Sequence, residues 1–349
     1  MAFGEGGLVP LVTAESFVSV GAEVGLILLL FMLGLEYTAS ELVGTVKSNA
    51  ATGLMDVALN FSPGFAGGLL LGFGMVNSIV LGGVTYVSSS GIVAKLLRDA
   101  RGVSKQETRT ILAVLITEDL VMALYLPVVG ALLLGGSDLG SLIPAFFGVI
   151  AVLIVVFAAT RVDVGVSRVL FSRSDEALLL TILGVMVLVA GAAEFFGISA
   201  AVAALILGMV FAGPAAEGAH ALLSPLRDLF AALFFAFVGL SVDPADIPAV
   251  LVAAVALAVA GAASKFMTGW LAARRAGADR PGAIRTGAIL IARGEFSIAI
   301  AGLATAAGVD PELEALAVSY VLLLAVIGPI AVRVTGHIAV GKTNVAPSR

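Results

Sequence analysis

Cysteine is absent from this chain, which excludes a disulfide framework, a thiol nucleophile and any cysteine metal centre. Histidine is nearly absent as well: His220 falls in a connection and His337 near the C-terminus, too little material for a zinc site. There is no HExxH, and no Gly-x-Ser-x-Gly with a buried histidine, which argues against an intramembrane enzyme. A filter-like TVGYG is missing too, which argues against a potassium channel. The glycine-rich stretches at 64–68 and 82–83 carry no nucleotide-binding context and read as small residues that let helices approach closely. The start, MAFGEGGLVPLVTAE, lacks the Lys/Arg-rich opening of a secretory signal, and past Thr335 no soluble regulatory domain is expected.

Charge is scarce and apolar residues dominate: 12% of the 349 residues are charged and 60% are hydrophobic, which defines a polytopic α-helical membrane protein. Apolar runs predict eleven spans, at about 18–37, 50–74, 77–97, 109–134, 141–160, 175–195, 198–213, 222–241, 247–272, 283–307 and 313–335. The net charge of −5 hides a segregation by side. Lys47, the cluster Lys95 to Arg109, Arg161 to Arg173, Arg227, the group Arg274 to Arg285 and the tail Arg333 to Arg349 fall in alternate connections. The intervening connections hold Asp138, Asp243, Asp246, Asp310, Glu312 and Glu314 but no Lys or Arg. The positive-inside rule then sets the N-terminus outside and the C-terminus in the cytoplasm of a multi-pass cell-membrane protein. Seventeen of the nineteen basic residues obey this alternation, and the exceptions, Lys265 and Arg293, lie inside apolar runs.

Glu118 and Asp119 sit side by side inside the apolar run from Ile111 to Leu134, roughly halfway across a bilayer. A carboxylate at bilayer depth costs about 3 kcal/mol even on lenient insertion scales, so an adjacent pair implies a bound cation, a proton or a buried basic partner. The alternative is an ion pair that only locks two helices, although one acid suffices for a lock. Lys265 lies nine residues before Arg274, about 13 Å inside the helix end, and either snorkels or pairs with Asp119 or Glu118.

Spans 50–134 and 247–335 run in opposite directions, the order expected of an inverted three-helix repeat. Their middle helices are interrupted at matching places, Thr85 to Gly91 and Ala292 to Ser297. Ser88, Ser89 and Ser90 serve either as backbone satisfiers or as weak ion ligands, together with Thr117 beside the acid pair. Arg293 and Glu295 either neutralise each other across the second break or take part in gating. Asp56 and Asn60, on the helix before the first break, are placed along a cytoplasmic access path. Glu23, Glu36 and Glu194 lie near helix ends, within reach of water.

Five segments in order carry a likeness: GLILLLFMLGLEY (25–37), VSSSGIVAKLL (87–97), LITEDLVMALYLP (115–127), PLRDLFAALFFAFVGLSVD (225–243) and ILIARGEFSIAIAGLA (289–304). With them the chain resembles the sodium/proton exchanger superfamily, in its bacterial monovalent cation:proton antiporter branch with the Kef-type potassium efflux systems. The resemblance implies secondary active antiport of Na⁺ or K⁺ against protons by alternating access. The alternatives are a channel-like K⁺ efflux path and a truncated, non-transporting remnant. It also implies one all-α transporter domain over 1–349, with core repeats at 50–134 and 247–335, scaffold helices at 18–37 and 141–241, and two broken helices that cross. A homodimer in the lipid bilayer is implied, with no cofactor and no nucleic-acid partner. The family's essential aspartate falls on Asp119, the variable residue before it on Glu118, and its intramembrane lysine on Lys265, with Arg293 as competitor. Relatives usually carry two further N-terminal spans, so the first two helices are expected to be missing here.

Overall fold

The computed structural model describes residues 15–36, 39–99, 103–135, 175–195, 200–212, 216–241, 245–308 and 311–340. All regular structure among them is helical. The helices are α1 (Glu15–Glu36), α2 (Ala39–Leu70), α3 (Gly74–Tyr86), α4 (Ser90–Asp99), α5 (Lys105–Gly135) and α6 (Asp175–Phe195). They continue with α7 (Ala200–Phe211), α8 (Ala216–Ser241), α9 (Ile247–Arg275), α10 (Arg280–Ile289), α11 (Glu295–Ala306) and α12 (Pro311–Val340). The span expected at 141–160 lies outside the described residues.

Among the described residues, five stretches are long and apolar enough to cross a membrane: Gly74–Leu97, Lys105–Gly130, Asp175–Ala193, Ile247–Arg275 and Pro311–Thr335. The other expected spans differ for physical reasons. α7 has 12 residues, α2 is diluted by Asp56, Asn60 and Ser62, and the apolar part of α11 covers only Phe296–Thr305. Helix α2 starts at Ala39, well before the apolar run at 50. The backbone ladder needs only helix-compatible residues, whereas hydropathy follows lipid contact.

The chain forms two compact units, one of Met1–Ser48 and Asp119–Pro244, the other of Asn49–Glu118 and Ala245–Arg349. In the first, α1 packs on α7 and α8. Gly34 and Gly208 make the α1–α7 approach possible: a Cβ on Gly34 would overlap the Leu205 carbonyl, and one on Gly208 that of Phe31. Lipid is as apolar as leucine, so close backbone packing of this kind replaces the hydrophobic drive. Leu28, Phe31, Met32 and Leu35 fill the core with Leu178, Ile182 and Met186.

In the second unit, α9 packs on α10 and α12, and α11 on α3 and α12. Two helical runs are interrupted in it. The first leaves helical geometry at Val87–Ser89 between α3 and α4, and the second at Leu290–Gly294 between α10 and α11. The interruptions touch, since Ser89 N donates to the Ala292 carbonyl at 2.9 Å. A Cβ on Gly294 would stand 2.6 Å from Ser89 Oγ, so glycine permits this contact.

Helix α2 is fastened to the first interruption by a repaired defect. Pro63 has no N–H, and the turn around it is opened. The Thr85 hydroxyl enters that turn, accepting from Gly64 N at 3.1 Å and facing the Asn60 carbonyl at 2.9 Å. Gly64 leaves the room, because a Cβ there would overlap Thr85 Oγ1 and the Leu81 carbonyl.

Candidate cation site

Lys265 and Arg293 are both fully buried in the second unit. Each is held by a different part of the first interruption.

The Lys265 ammonium lies 2.7 Å from Glu118 Oε1 and 2.7 Å from Asp56 Oδ1. Its remaining proton faces the Tyr86 carbonyl at 3.2 Å, with the Tyr86 ring centroid 5.3 Å away. Three donors thus meet three acceptors. Glu118 is anchored on its other oxygen by Ser88 N at 2.5 Å, and Ser88 Oγ lies 3.3 Å from Oε1. Ending α3 at Tyr86 frees that amide and aims it at the carboxylate.

Asp56 extends the cluster. Asn60 Nδ2 donates to Asp56 Oδ1 at 2.9 Å and reaches Thr268 Oγ1 at 3.0 Å, while Ser264 donates to Asn60 Oδ1 at 2.9 Å. Asp56 Oδ2 is buried without a hydrogen-bond partner among the described residues. Two carboxylates share one ammonium, which leaves one negative charge in excess when both acids are ionised. Asp119 follows on α5 and is 7% exposed, about 100° further round the helix.

Arg293 serves the backbone. Its Nε and Nη2 donate to the Thr85 carbonyl at 3.2 and 3.0 Å, and its Nη1 reaches the Leu290 and Ile291 carbonyls at 3.3 Å each. Tyr320 Oη and Ser88 Oγ lie 3.2 and 3.4 Å from the guanidinium. Carbonyls released by both interrupted helices therefore converge on one cation, which answers the demand that backbone groups at membrane depth be satisfied.

The remaining expected site residues divide. Ser89 bridges the interruptions through its amide and accepts from Ile92 N at 3.2 Å, capping α4. Ser90 opens α4 and is partly exposed. Thr117 is buried, with its hydroxyl on the Ala113 carbonyl at 2.7 Å. Glu295 begins α11, and its side chain lies outside the described residues.

The sequence offered Asp56 and Asn60 only for an access path and Thr85 only as the start of the first break, and it gave no sign of Tyr320. The signal for the first two was spacing: Asp56 and Asn60 stand four apart on α2, and Lys265 and Thr268 three apart on α9, so each pair shares a helix face. Among the described residues no group of three or more His, Cys, Asp or Glu is placed to hold a metal.

A lipid-length helical protein whose interrupted helices meet beside buried, ion-paired carboxylates belongs to the class of membrane ion carriers. The comparisons with known proteins give the family. The model described as sodium/hydrogen exchanger, transmembrane, matches residues 1–336, and the chain belongs to that family. The K(+)/H(+) antiporter subunit KhtU of Bacillus subtilis is 36% identical over 316 residues, 88% of this chain and 76% of that protein. The ammonium/H(+) antiporter subunit AmhT of Alkalihalophilus pseudofirmus is 29% identical, over 91% of this chain and 81% of that protein. The solved sodium proton antiporter MjNhaP1 from Methanocaldococcus jannaschii has the same fold, with a TM-score of 0.62 and 14% identity over 95% of this chain and 86% of that one. The chain is a secondary active transporter that couples a monovalent cation to protons.

Proposed function

We propose that Asp119 and Glu118 carry the exchange, binding the cation and the proton in turn on the same oxygens. The observation that carries this reading is Glu118 itself, fully buried yet held by Lys265 and by the freed Ser88 amide. A carboxylate is kept in such a place at a desolvation cost of several kcal/mol, which an exchangeable ligand justifies. Lys265 stands where a metal ion would otherwise compensate the acid. When a cation arrives, the ammonium keeps its contact with Asp56, and Glu118 becomes available as a ligand. Asp119, Thr117, Ser88 to Ser90 and carbonyls of the interruptions supply further oxygens. Arg293, with Glu295, maintains the interruptions.

Potassium and sodium are the candidate cargoes. Potassium comes first in testing, because the 36% identical relative is named for K(+). In this reading 50–134 and 247–335 are inverted repeats whose broken helices cross, and they form the moving core. Helices in 18–37 and 141–241 form the scaffold and dimer surface. Eleven spans leave the N-terminus outside and the basic connections in the cytoplasm.

In proteoliposomes carrying a pH-sensitive dye, Asp119→Asn is expected to lower K⁺- or Na⁺-driven proton movement by about a hundredfold or more, the loss of a charged ligand worth about 3 kcal/mol. Exchange at the wild-type rate in the folded variant removes Asp119 from the site.

A further inference from the structure

We propose that a cavity at the basic end of the second unit binds a phosphate-bearing anion. The cavity measures about 430 Å³, within the range of small-molecule sites. Its walls include Gln106, Arg109, Thr110, Ala113 and Thr117 of α5 and Arg275 of α9, with Thr52 of α2. Gln106, Thr110, Ala113 and Thr117 recur every three or four positions and form one stripe of α5, with Arg109 at its edge.

Among the described residues, neither arginine has a carboxylate partner. Arg109 is exposed and has no ion pair among the described residues. Arg275 is exposed, and its guanidinium donates to Met55 Sδ at 3.5 Å, its one side-chain hydrogen bond among the described residues. The nearest acid in sequence, Glu107, is buried elsewhere and taken by both nitrogens of Arg285, at 2.7 and 3.0 Å. Three other donors on the wall are spent: Thr110 and Thr117 bond their own helix carbonyls at 3.0 and 2.7 Å, and the Gln106 amide bonds the Ala276 carbonyl.

The charged donors left at this concave surface are therefore two guanidinium forks. A carboxylate fills one planar fork, whereas a tetrahedral phosphate presents oxygens to two. Phosphate also recruits a cationic mouth that would repel the transported ion if left bare. Binding needs only this cavity. A consequence for exchange, by an occupant standing beside Thr117 and so next to Glu118, rests on the site proposed above.

The phosphate has two possible sources, a soluble anion or a lipid headgroup, and two arms separate them. Purified protein is titrated with inorganic pyrophosphate in a calorimeter, and is separately equilibrated with fluorescent phosphatidylglycerol against phosphatidylcholine in mixed micelles. The variants are Arg109→Gln with Arg275→Gln, and Arg274→Gln as control, since Arg274 donates to the Ala278 carbonyl at 2.9 Å and is not part of the wall. Saturable binding is expected to weaken about tenfold or more in the double variant, one charge-assisted contact being worth about that factor, and to be unchanged in the control. Pyrophosphate binding lost in the double variant identifies a soluble anion, and phosphatidylglycerol binding alone lost in it identifies a headgroup. Absence of both, or binding indifferent to the double substitution, overturns the proposal. If the double variant does not fold, Arg109→Gln alone decides, because Arg109 has no ion pair among the described residues to lose: weakened binding supports the site, and unchanged binding overturns it.

Discussion

At the residue scale, the chain concentrates its electrostatic risk in Lys265. The ammonium is fully buried between Asp56 and Glu118, so removing it leaves two carboxylates in low dielectric with no cation between them. Lys265→Met is expected to lower stability by about 3–5 kcal/mol, the usual cost of breaking a buried pair, read as a large drop in unfolding temperature in detergent. Adding Asp56→Asn is expected to recover part of the loss, because one uncompensated charge disappears. A double variant no more stable than the single one means that Asp56 does not share the lysine. That a buried lysine needs an acid was legible in the sequence, and Glu118 was among the candidates. Asp56 was not, because a pass along the chain evaluates each carboxylate against water and lipid rather than against a residue 209 positions away.

At the element scale, interrupted helices survive because loosened groups such as the Ser88 amide and the Thr85, Leu290 and Ile291 carbonyls find partners. Thr85 is the joint: its hydroxyl mends the turn around Pro63, and its carbonyl receives Arg293. Thr85→Val keeps the shape and removes the hydroxyl, leaving Gly64 N without its acceptor. The expected loss is about 1–3 kcal/mol of stability, the cost of a buried unsatisfied amide, measured by thermal unfolding against wild type. An unchanged melting curve means that Pro63 is accommodated without this bridge. Both interruptions lay inside stretches that the sequence marked with serines, glycines and buried charge, since such residues spoil an apolar run. Their partners carry no such mark: the donors of Arg293 go to carbonyls of Thr85, Leu290 and Ile291. Carbonyls carry no sequence signal, because every residue has one.

At the scale of the whole molecule, the absence of cysteine is an experimental asset, since any introduced thiol is the only one. A membrane-impermeant maleimide added to intact cells is expected to label Glu312→Cys and to spare Arg274→Cys until the cells are permeabilised; both positions are exposed. The reverse pattern inverts the proposed orientation, although the antiport itself would stand. Membrane residence and helical class followed from composition, periodicity and charge alternation. These are properties each segment holds against its solvent, so the order of residues alone determines them. The tertiary structure decided which acid holds Lys265, which groups Arg293 serves, and that the two interruptions meet at Ser89 and Ala292. Such pairings depend on where packed helices bring side chains within 3 Å or so of one another, a distance that no local pattern encodes.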